Sequence, residues 1–418
     1  MKDILPVDAP RWHLVEDRAR AVFEGYGYQE LRTPVLEHTE LFARSIGETT
    51  DIVEKEMYTF PDRRGRSLSM RPEATASCVR AVVENGLAGR GEGLRVWYAG
   101  PMFRYEKMQR ERYRQFYQLG AEVYGQEAAA ADAEIILVTA RLWRALGLAR
   151  VSLELNSLGT RDEQAGYRER LREYLNDRYQ DLDGDSQRRV KTNPLRVLDS
   201  KNPQLKPVIE AAPTPLEQLG EASRDHFAHL TGVLDACGIE YRVNRRLVRG
   251  LDYYTRTVFE WVSGDLGAQS AICGGGRYDR LFQEIGGPDT PAVGFSAGIE
   301  RIIAVMDAAG SAPGAAVPQV YLAAVGDAPC LHAQAVAERL RDDLPGLRLV
   351  VDAGGGGFRP KLKRADRSGA ALALVLGEDE MASDCVQIKS LRGDSQEQVA
   401  LADAAARIRA LLAPDGGA

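Results

Sequence analysis

The 418-residue sequence has no run of about 18 apolar residues, and its opening, MKDILPVDAPRWH, lacks the apolar stretch of a leader. Both absences argue against a membrane span and against secretion. Cysteine is scarce: Cys78, Cys237, Cys273, Cys330 and Cys385 are scattered, odd in number and never paired as CxxC. A disulfide framework and a zinc cage are therefore not expected, and a reduced, cytoplasmic chain is. Of the five histidines only His226 and His229 share a helical face. With no cysteine or third histidine beside them, they read as a solvated helix face rather than a metal site. Charge of one sign is missing too. The 54 Lys+Arg against 60 Asp+Glu leave a net charge of -6, so contact with nucleic acid needs a local basic patch. The glycine-rich runs lack nucleotide fingerprints: GGGG at 354–357 has no following Lys-Ser/Thr, and ICGGGRYDRL at 272–281 fails the same test.

What the chain does contain is length for two or three domains, at ~150 residues each. Trp12, Val15, Ala19, Val22 and Phe23 recur at helical spacing up to the glycine stop GYGY, and YQELRTPVLE then reads as a strand that Pro34 confines to an edge or interface. Residues 94–124 read as a long antiparallel hairpin around the charged loop EKMQRERY. Residues 160–225 lose β-branched alternation and gain Arg, Asp, Asn and Pro, which suggests a helical insertion. GFSAGIERIIAVM looks like a strand end turning into an amphipathic helix, and AAGSAPGAAVP is the clearest linker. Beyond it, strand and helix patterns alternate (QVYLAAV, LHAQAVAERLRDDL, LRLVVDA, ALALVLG, then a helix with Ala405, Ile408, Leu411 and Leu412 on one face), predicting a small, mostly parallel α/β domain.

Several stretches carry more polar chemistry than their fold requires. In RQFYQLGAEVYG, Tyr117, Leu119, Ala121 and Val123 form an apolar face, so Phe116, Gln118, Gly120 and Glu122 project together from the other. Arg114 opens that same face, and the preceding strand ends in FRYE with Arg104 and Glu106. A ring, an amide, carboxylates and arginines on one sheet surface suit a zwitterion and a polyphosphate. RPEAT offers Glu73 and Thr75 on one side of an extended piece. In VRGLDYYTRTVFEW, Thr255 onward alternates as a strand, while Arg249, Asp252, Tyr253 and Tyr254 crowd its entrance without being needed to start it. Arg277 and Tyr278 follow three glycines that allow close backbone approach. Near GGGG, Arg359, Lys361, Lys363 and Arg364 form a candidate patch for a polynucleotide.

Taken in order, these stretches resemble the class II aminoacyl-tRNA synthetases, and among them the histidyl-tRNA synthetase family, essentially end to end. FEGYGYQELRTPVLE is similar to the class's dimer-interface helix and strand, VWYAGPMFRYEKMQRERYRQFYQLGAEVYG to its second motif, and PAVGFSAGIERI to its third. RGLDYYTRTVFEW and GGGRYDRL resemble two segments peculiar to the histidine enzymes, and NPLRVLDSKNP adds a match in the insertion.

The resemblance implies an α+β catalytic domain (residues 1–307), an antiparallel sheet flanked by helices, with a helical insertion at about 160–225. A linker (308–317) and a C-terminal α/β anticodon-binding domain (318–418) follow. It implies a homodimer that uses ATP with Mg²⁺ as substrate, L-histidine and tRNA(His), with no metal permanently bound by side chains. Carried over position by position, Arg104 and Arg249 flank the α-phosphate, Glu106, Arg114, Phe116 and Arg301 contact ATP, and Glu73, Thr75 and Gln118 cradle the ammonium group and adenylate. Glu122 and Tyr254 bond the imidazole nitrogens, with Tyr253 and Tyr278 completing the pocket. Two departures stand out: Ala74 replaces the glycine of the usual RPEGT, and family members carry an Arg-Gly ahead of MKDILP, which leaves the natural start of the chain open. The competing expectations are a non-catalytic paralogue serving histidine biosynthesis as a regulatory subunit, which would lack the C-terminal domain and lose catalytic arginines, and a tRNA-sensing module of a larger regulator.

Overall fold

The computed structural model describes residues 2–47, 50, 52–87, 93–106, 112–198, 200, 202–266 and 271–413. The chain divides into two units, residues 1–314 and 315–418, the break falling inside the Gly/Pro/Ala-rich stretch.

The first unit is built on an eight-stranded sheet: β1 (Gln29–Glu30), β5 (Leu94–Phe103), β6 (Gln115–Tyr124), β7 (Ser152–Ser157), β8 (Tyr241–Val243), β9 (Thr255–Val262), β10 (Ala271–Arg277) and β11 (Ala292–Gly298). Their spatial order is β1-β5-β6-β11-β10-β9-β7-β8. The two outermost pairs, β1 with β5 and β7 with β8, are parallel and the pairs between are antiparallel. A second sheet holds β2 (Leu36–His38), β3 (Thr59–Pro61) and β4 (Ser67–Met70), with β4 in the middle. The predicted strand YQELRTPVLE is thus two short strands in different sheets, because Pro34 has no N–H for a ladder and breaks the run. Residues 107–111 of the hairpin loop, and Asp199 and Lys201 of NPLRVLDSKNP, lie outside the described residues.

One face of the large sheet is covered by the helices Ala9–Gly25, Ala129–Ala145, Glu221–Ala236 and Ile299–Ala309. Leu119, Ala121 and Val123 of β6, Phe259 and Trp261 of β9, and Val293, Phe295 and Ala297 of β11 meet Phe23, Ile136, Trp143 and Ile302 in this core. Such buried side chains each contribute ~1.5–3 kcal/mol. Inside it Asp132 accepts hydrogen bonds from Thr257 Oγ1 at 2.7 Å and from His226 Nε2 at 2.6 Å and pairs with the Arg277 guanidinium at 2.6 Å, both ionic side chains being fully buried. Burial alone would raise the Asp132 carboxyl, but the His226 bond and the Arg277 charge outweigh it and hold it below the usual range. Arg277, which follows three glycines that allow close backbone approach, is therefore tied to the helix-covered side of the sheet. His226 receives the Arg256 guanidinium on Nδ1 at 3.3 Å, which leaves Nε2 to donate to Asp132. Among the described residues no group of His, Cys, Asp and Glu could hold a metal ion.

β9 is not regular. Arg256 has φ of 48°, a left-handed conformation that costs a residue with a Cβ ~1 kcal/mol or more. Between the pairs Gly276↔Val258 and Arg277↔Thr255, two residues of β9, Arg256 and Thr257, face no partner in β10. This bulge separates the strand from the RGLDYY segment before it.

Thr75 opens the helix Thr75–Glu84 rather than lying in an extended piece. The Glu73 carboxylate accepts the N–H groups of Thr75 at 2.7 Å and Ala76 at 3.0 Å, which is a helix cap that sequence alternation does not reveal. Ala74 has φ of -110° and is buried with Cys78, Tyr98 and Met102, so the backbone there does not require glycine. Residues 160–225 form Arg161–Asp177, Gly184–Thr192 and shorter helices with their own core around Tyr167, Leu171, Leu175 and Val190.

The second unit holds β12 (Val320–Ala324), β13 (Leu349–Val351), β14 (Leu372–Leu376), β15 (Cys385–Ser390) and β16 (Gln396–Ala400), ordered β13-β12-β14-β15-β16. Helices Asp327–Asp343, Phe358–Arg367 and Ala404–Leu412 accompany it. β12 pairs in parallel with β13 and β14, while β14–β15 and β15–β16 are antiparallel. The expected mostly parallel sheet is mixed, since the sequence reading passed over the hairpin CVQIKS to QEQVA, whose outer strand alternates between exposed and half-buried residues.

Candidate active site

The face of the large sheet opposite the four helices carries a cavity of about 290 Å³. Its wall holds Glu73, Thr75, Arg104, Glu106, Phe116, Gln118, Arg249, Tyr253, Tyr254 and Arg301, residues separated by over 200 positions in sequence. Strand alternation delivers Phe116 and Gln118 from β6, the end of β5 delivers Arg104, and the start of the helix Ile299–Ala309 delivers Arg301. A larger cavity of about 680 Å³ lies elsewhere, between the insertion and β8, and none of the residues that converge here reaches it.

Glu122 lies beneath this wall. Fully buried, it accepts Thr75 Oγ1 at 2.9 Å and the Tyr278 hydroxyl. Burial raises its carboxyl to about 8 against the two hydrogen bonds that favour ionisation. Tyr253, Tyr254 and Tyr278 form an aromatic cluster around it, with centroids 4.7 Å apart for the first pair and 5.4 Å for Tyr253 and Tyr278. Gln118 Oε1 is buried beside them without a partner. A Cβ on Gly294 would lie 1.5 Å from Glu122 Oε2, so only glycine leaves room for that carboxylate.

The other half of the cavity is cationic. Arg104 donates from Nε to the Pro72 carbonyl at 2.8 Å, and its guanidinium carbon sits 5.3 Å from the Phe116 ring centre. Glu106 joins Arg104 at 3.8 Å and Arg112 at 3.1 Å. Arg249 pairs with Glu260 of β9 and lies against Gly274, where a Cβ would come within 2.5 Å of its guanidinium. Arg301 donates to the Ala271 carbonyl. Burial first, then repulsion from Arg112, lowers its proton affinity.

Three of the sequence-read residues are not on the cavity wall. Tyr278 and Glu122 are buried behind it, linked to the wall through Thr75, which donates to Glu122, and Arg114 stacks on Tyr105 at 3.9 Å from the ring centre. Asp252 turns away as well. It does not pair with Arg249, which goes to Glu260, but accepts from Asn193 of the insertion. Two functional candidates escaped the sequence reading. Glu260 looked like the polar beat of an alternating strand. Glu300 accepts the Tyr117 N–H with both oxygens, at 3.0 and 3.1 Å, and burial raises it to about 7; its position next to Arg301 was the available signal.

Carboxylate floor, aromatic cluster and arginine rim together can bind a cationic or zwitterionic ring compound beside a polyphosphate. Residues 1–302 match the family model described as histidyl-tRNA synthetase, and residues 319–411 match the one described as an anticodon binding domain.

The chain belongs to the histidyl-tRNA synthetase family.

Curated relatives within it include a histidine–tRNA ligase of Alkalilimnicola ehrlichii, 54% identical with 95% of this chain and 91% of the relative covered. Another, of Halorhodospira halophila, is 52% identical with 98% and 96% covered. Among solved structures, the apo histidyl-tRNA synthetase of S. aureus is 31% identical, with 98% of each chain covered and a TM-score of 0.82. These matches run through both units. Among the described residues no helix is long and apolar enough to cross a membrane.

The C-terminal basic group does not hold together as one patch. Lys361 is buried, and Arg364 is committed to Asp352 at 2.9 and 3.1 Å, with the GGGG turn folded over the pair through Gly354 N–H to Asp352 Oδ1 at 2.7 Å. Arg359 and Lys363 remain exposed.

Proposed function

We propose that the chain activates L-histidine with ATP and Mg²⁺ to histidyl-adenylate and pyrophosphate, then transfers histidine to the 3′ hydroxyl at the end of tRNA(His). The observation that carries this reading is the buried Glu122, held by Tyr278 and by Thr75, a residue that also lines the cavity with Arg104, Arg249 and Arg301.

The substrate carboxylate is ionised at neutral pH, so its attack on the α-phosphorus needs positioning and charge neutralisation rather than a base. Arg104 and Arg249 flank the α-phosphate, each held by a second group: Pro72 for Arg104 and Glu260 for Arg249. Phe116 stacks on adenine with Arg104 near its ring, Glu106 contacts ATP from the hairpin with Arg114, stacked on Tyr105 outside the cavity wall, reaching it only from the rim, and Arg301 takes the γ-phosphate. Mg²⁺ enters with ATP and neutralises the remaining phosphate oxygens. Glu73, Thr75 and Gln118 cradle the ammonium group; Gln118 Oε1 has no partner in the protein and suits an ammonium donor.

Glu122 and Tyr254 bond the two imidazole nitrogens inside the tyrosine cluster, with Tyr253 and Tyr278 closing it. A floor built for two ring nitrogens leaves buried polar groups unpaired when another side chain enters, a discrimination of ~10⁴ or more. The second unit binds the tRNA anticodon, and the protein works as a cytoplasmic homodimer, with the helix Ala9–Gly25 and β1 at the sheet edge supplying the interface.

Pyrophosphate exchange with each of the twenty amino acids tests the reading. Histidine alone should support exchange, and Arg249→Ala should abolish it while sedimentation still reports a dimer. Exchange with a different amino acid, or near-normal exchange in the variant, overturns it.

A further inference from the structure

The RGLDYY segment that carries Arg249 and Tyr254 is gripped from outside the catalytic sheet. Gln164, in the first turn of the insertion's helix Arg161–Asp177, donates from Nε2 to the Tyr254 carbonyl at 2.9 Å. Asn193, which follows the helix Gly184–Thr192, directs Nδ2 to Asp252 Oδ1 at 3.5 Å. Asp252 is also tied to the first part of the chain, its N–H donating to the Ile46 carbonyl at 3.4 Å. Between these contacts lies a cavity of about 30 Å³, walled by Gln164, Arg168, Asn193, Arg249, Asp252 and Tyr254 among others. Three buried polar atoms on that wall have no partner in the protein: Arg168 Nε, Asn193 Oδ1 and Arg249 Nε. The space fits one water, which would have donors and an acceptor to meet.

We infer that Asn193 and Gln164 are positioning residues for the activation step: through Asp252 and the Tyr254 backbone, the helical insertion sets Arg249 and Tyr254 in register with the sheet-borne half of the site. This rests on the proposed histidine activation for the roles of Arg249 and Tyr254. The physical reason for such a device lies in the ladder. Arg256 and Thr257 face no partner in β10, so that ladder does not carry its register across them into the segment before. The insertion supplies an anchor that the β10 ladder does not, with its own hydrophobic core as the fixed body. Asp252 thereby acquires a role that the sequence left open.

The test is pyrophosphate exchange with the full chain, using whichever amino acid the wild type activates, so that a wrong amino acid sinks the functional reading and leaves the inference to be judged on the variants. Asn193→Ala and Asp252→Ala should each raise the amino-acid KM and lower kcat by ~10-fold or more, with the ATP KM and the melting temperature little changed. The two effects should not multiply in the double variant. The swapped pair, Asn193→Asp with Asp252→Asn, should recover most of the loss, which a general packing defect would not allow. Multiplicative losses, equal shifts in both KM values, or wild-type kinetics in both single variants would overturn it. If Asp252→Ala fails to fold, Gln164→Ala gives the same split through the other contact, and its failure to do so counts against the inference.

Discussion

Glu122 concentrates the competition between stability and chemistry in one side chain. Its folded-state carboxyl titrates near 8 because burial outweighs two hydrogen bonds, whereas in an unfolded chain it titrates in the ordinary glutamate range. Between those values the folded protein holds a proton that the unfolded chain has lost. Stability is therefore full below the ordinary range and falls as pH rises towards 8. Glu122→Gln removes the titration, so its melting temperature should rise relative to wild type between pH 5 and 8, by ~2–4 °C per kcal/mol, and the gap should stop growing above 8. Calorimetry across that range checks it. Pyrophosphate exchange by the same variant should show a raised histidine KM. Residue identity told much here: the strict alternation from Phe116 to Glu122 revealed which side chains share a face. It could not reveal that Arg277 points through the sheet to Asp132, because three preceding glycines read equally well as room for a ligand.

At the level of elements, the site depends on strands that lack side chains where the arginine and the carboxylate press in. Gly274→Ala in β10 places a methyl within 2.5 Å of the Arg249 guanidinium, the mobile end of a long side chain. The fold should survive, with melting within a few degrees of wild type, while displacement of the guanidinium by ~1 Å should cost about 10²-fold in exchange kcat. A normal kcat would show that Arg249 is not held there. Helix starts were less legible than strands: Glu73 caps Thr75–Glu84 through its own backbone neighbourhood, and RPEAT has too few apolar residues to show a helical period. The Phe358–Arg367 helix shows the same limit. Its run of basic residues is plain in the sequence, but which of them turns inward depends on Asp352 and the GGGG turn.

For the whole molecule, the large sheet with four helices on one face and chemistry on the other separates stability from reaction, and the second unit has a core of its own. Residues 1–314 should therefore fold alone and keep pyrophosphate exchange within a few-fold, while charging of tRNA falls ~10²-fold or more through loss of a second attachment point. Loss of exchange in the fragment would count against independent units. The break between the units falls inside the Gly/Pro/Ala-rich stretch, whereas the mixed C-terminal sheet was not legible, because its outermost strand, β16, has no buried residue to mark it. Length itself is also under constraint in this protein. Arg256 and Thr257 face no partner in β10, so one residue more or fewer at this point moves the start of the segment that carries Arg249 and Tyr254 without changing any side chain.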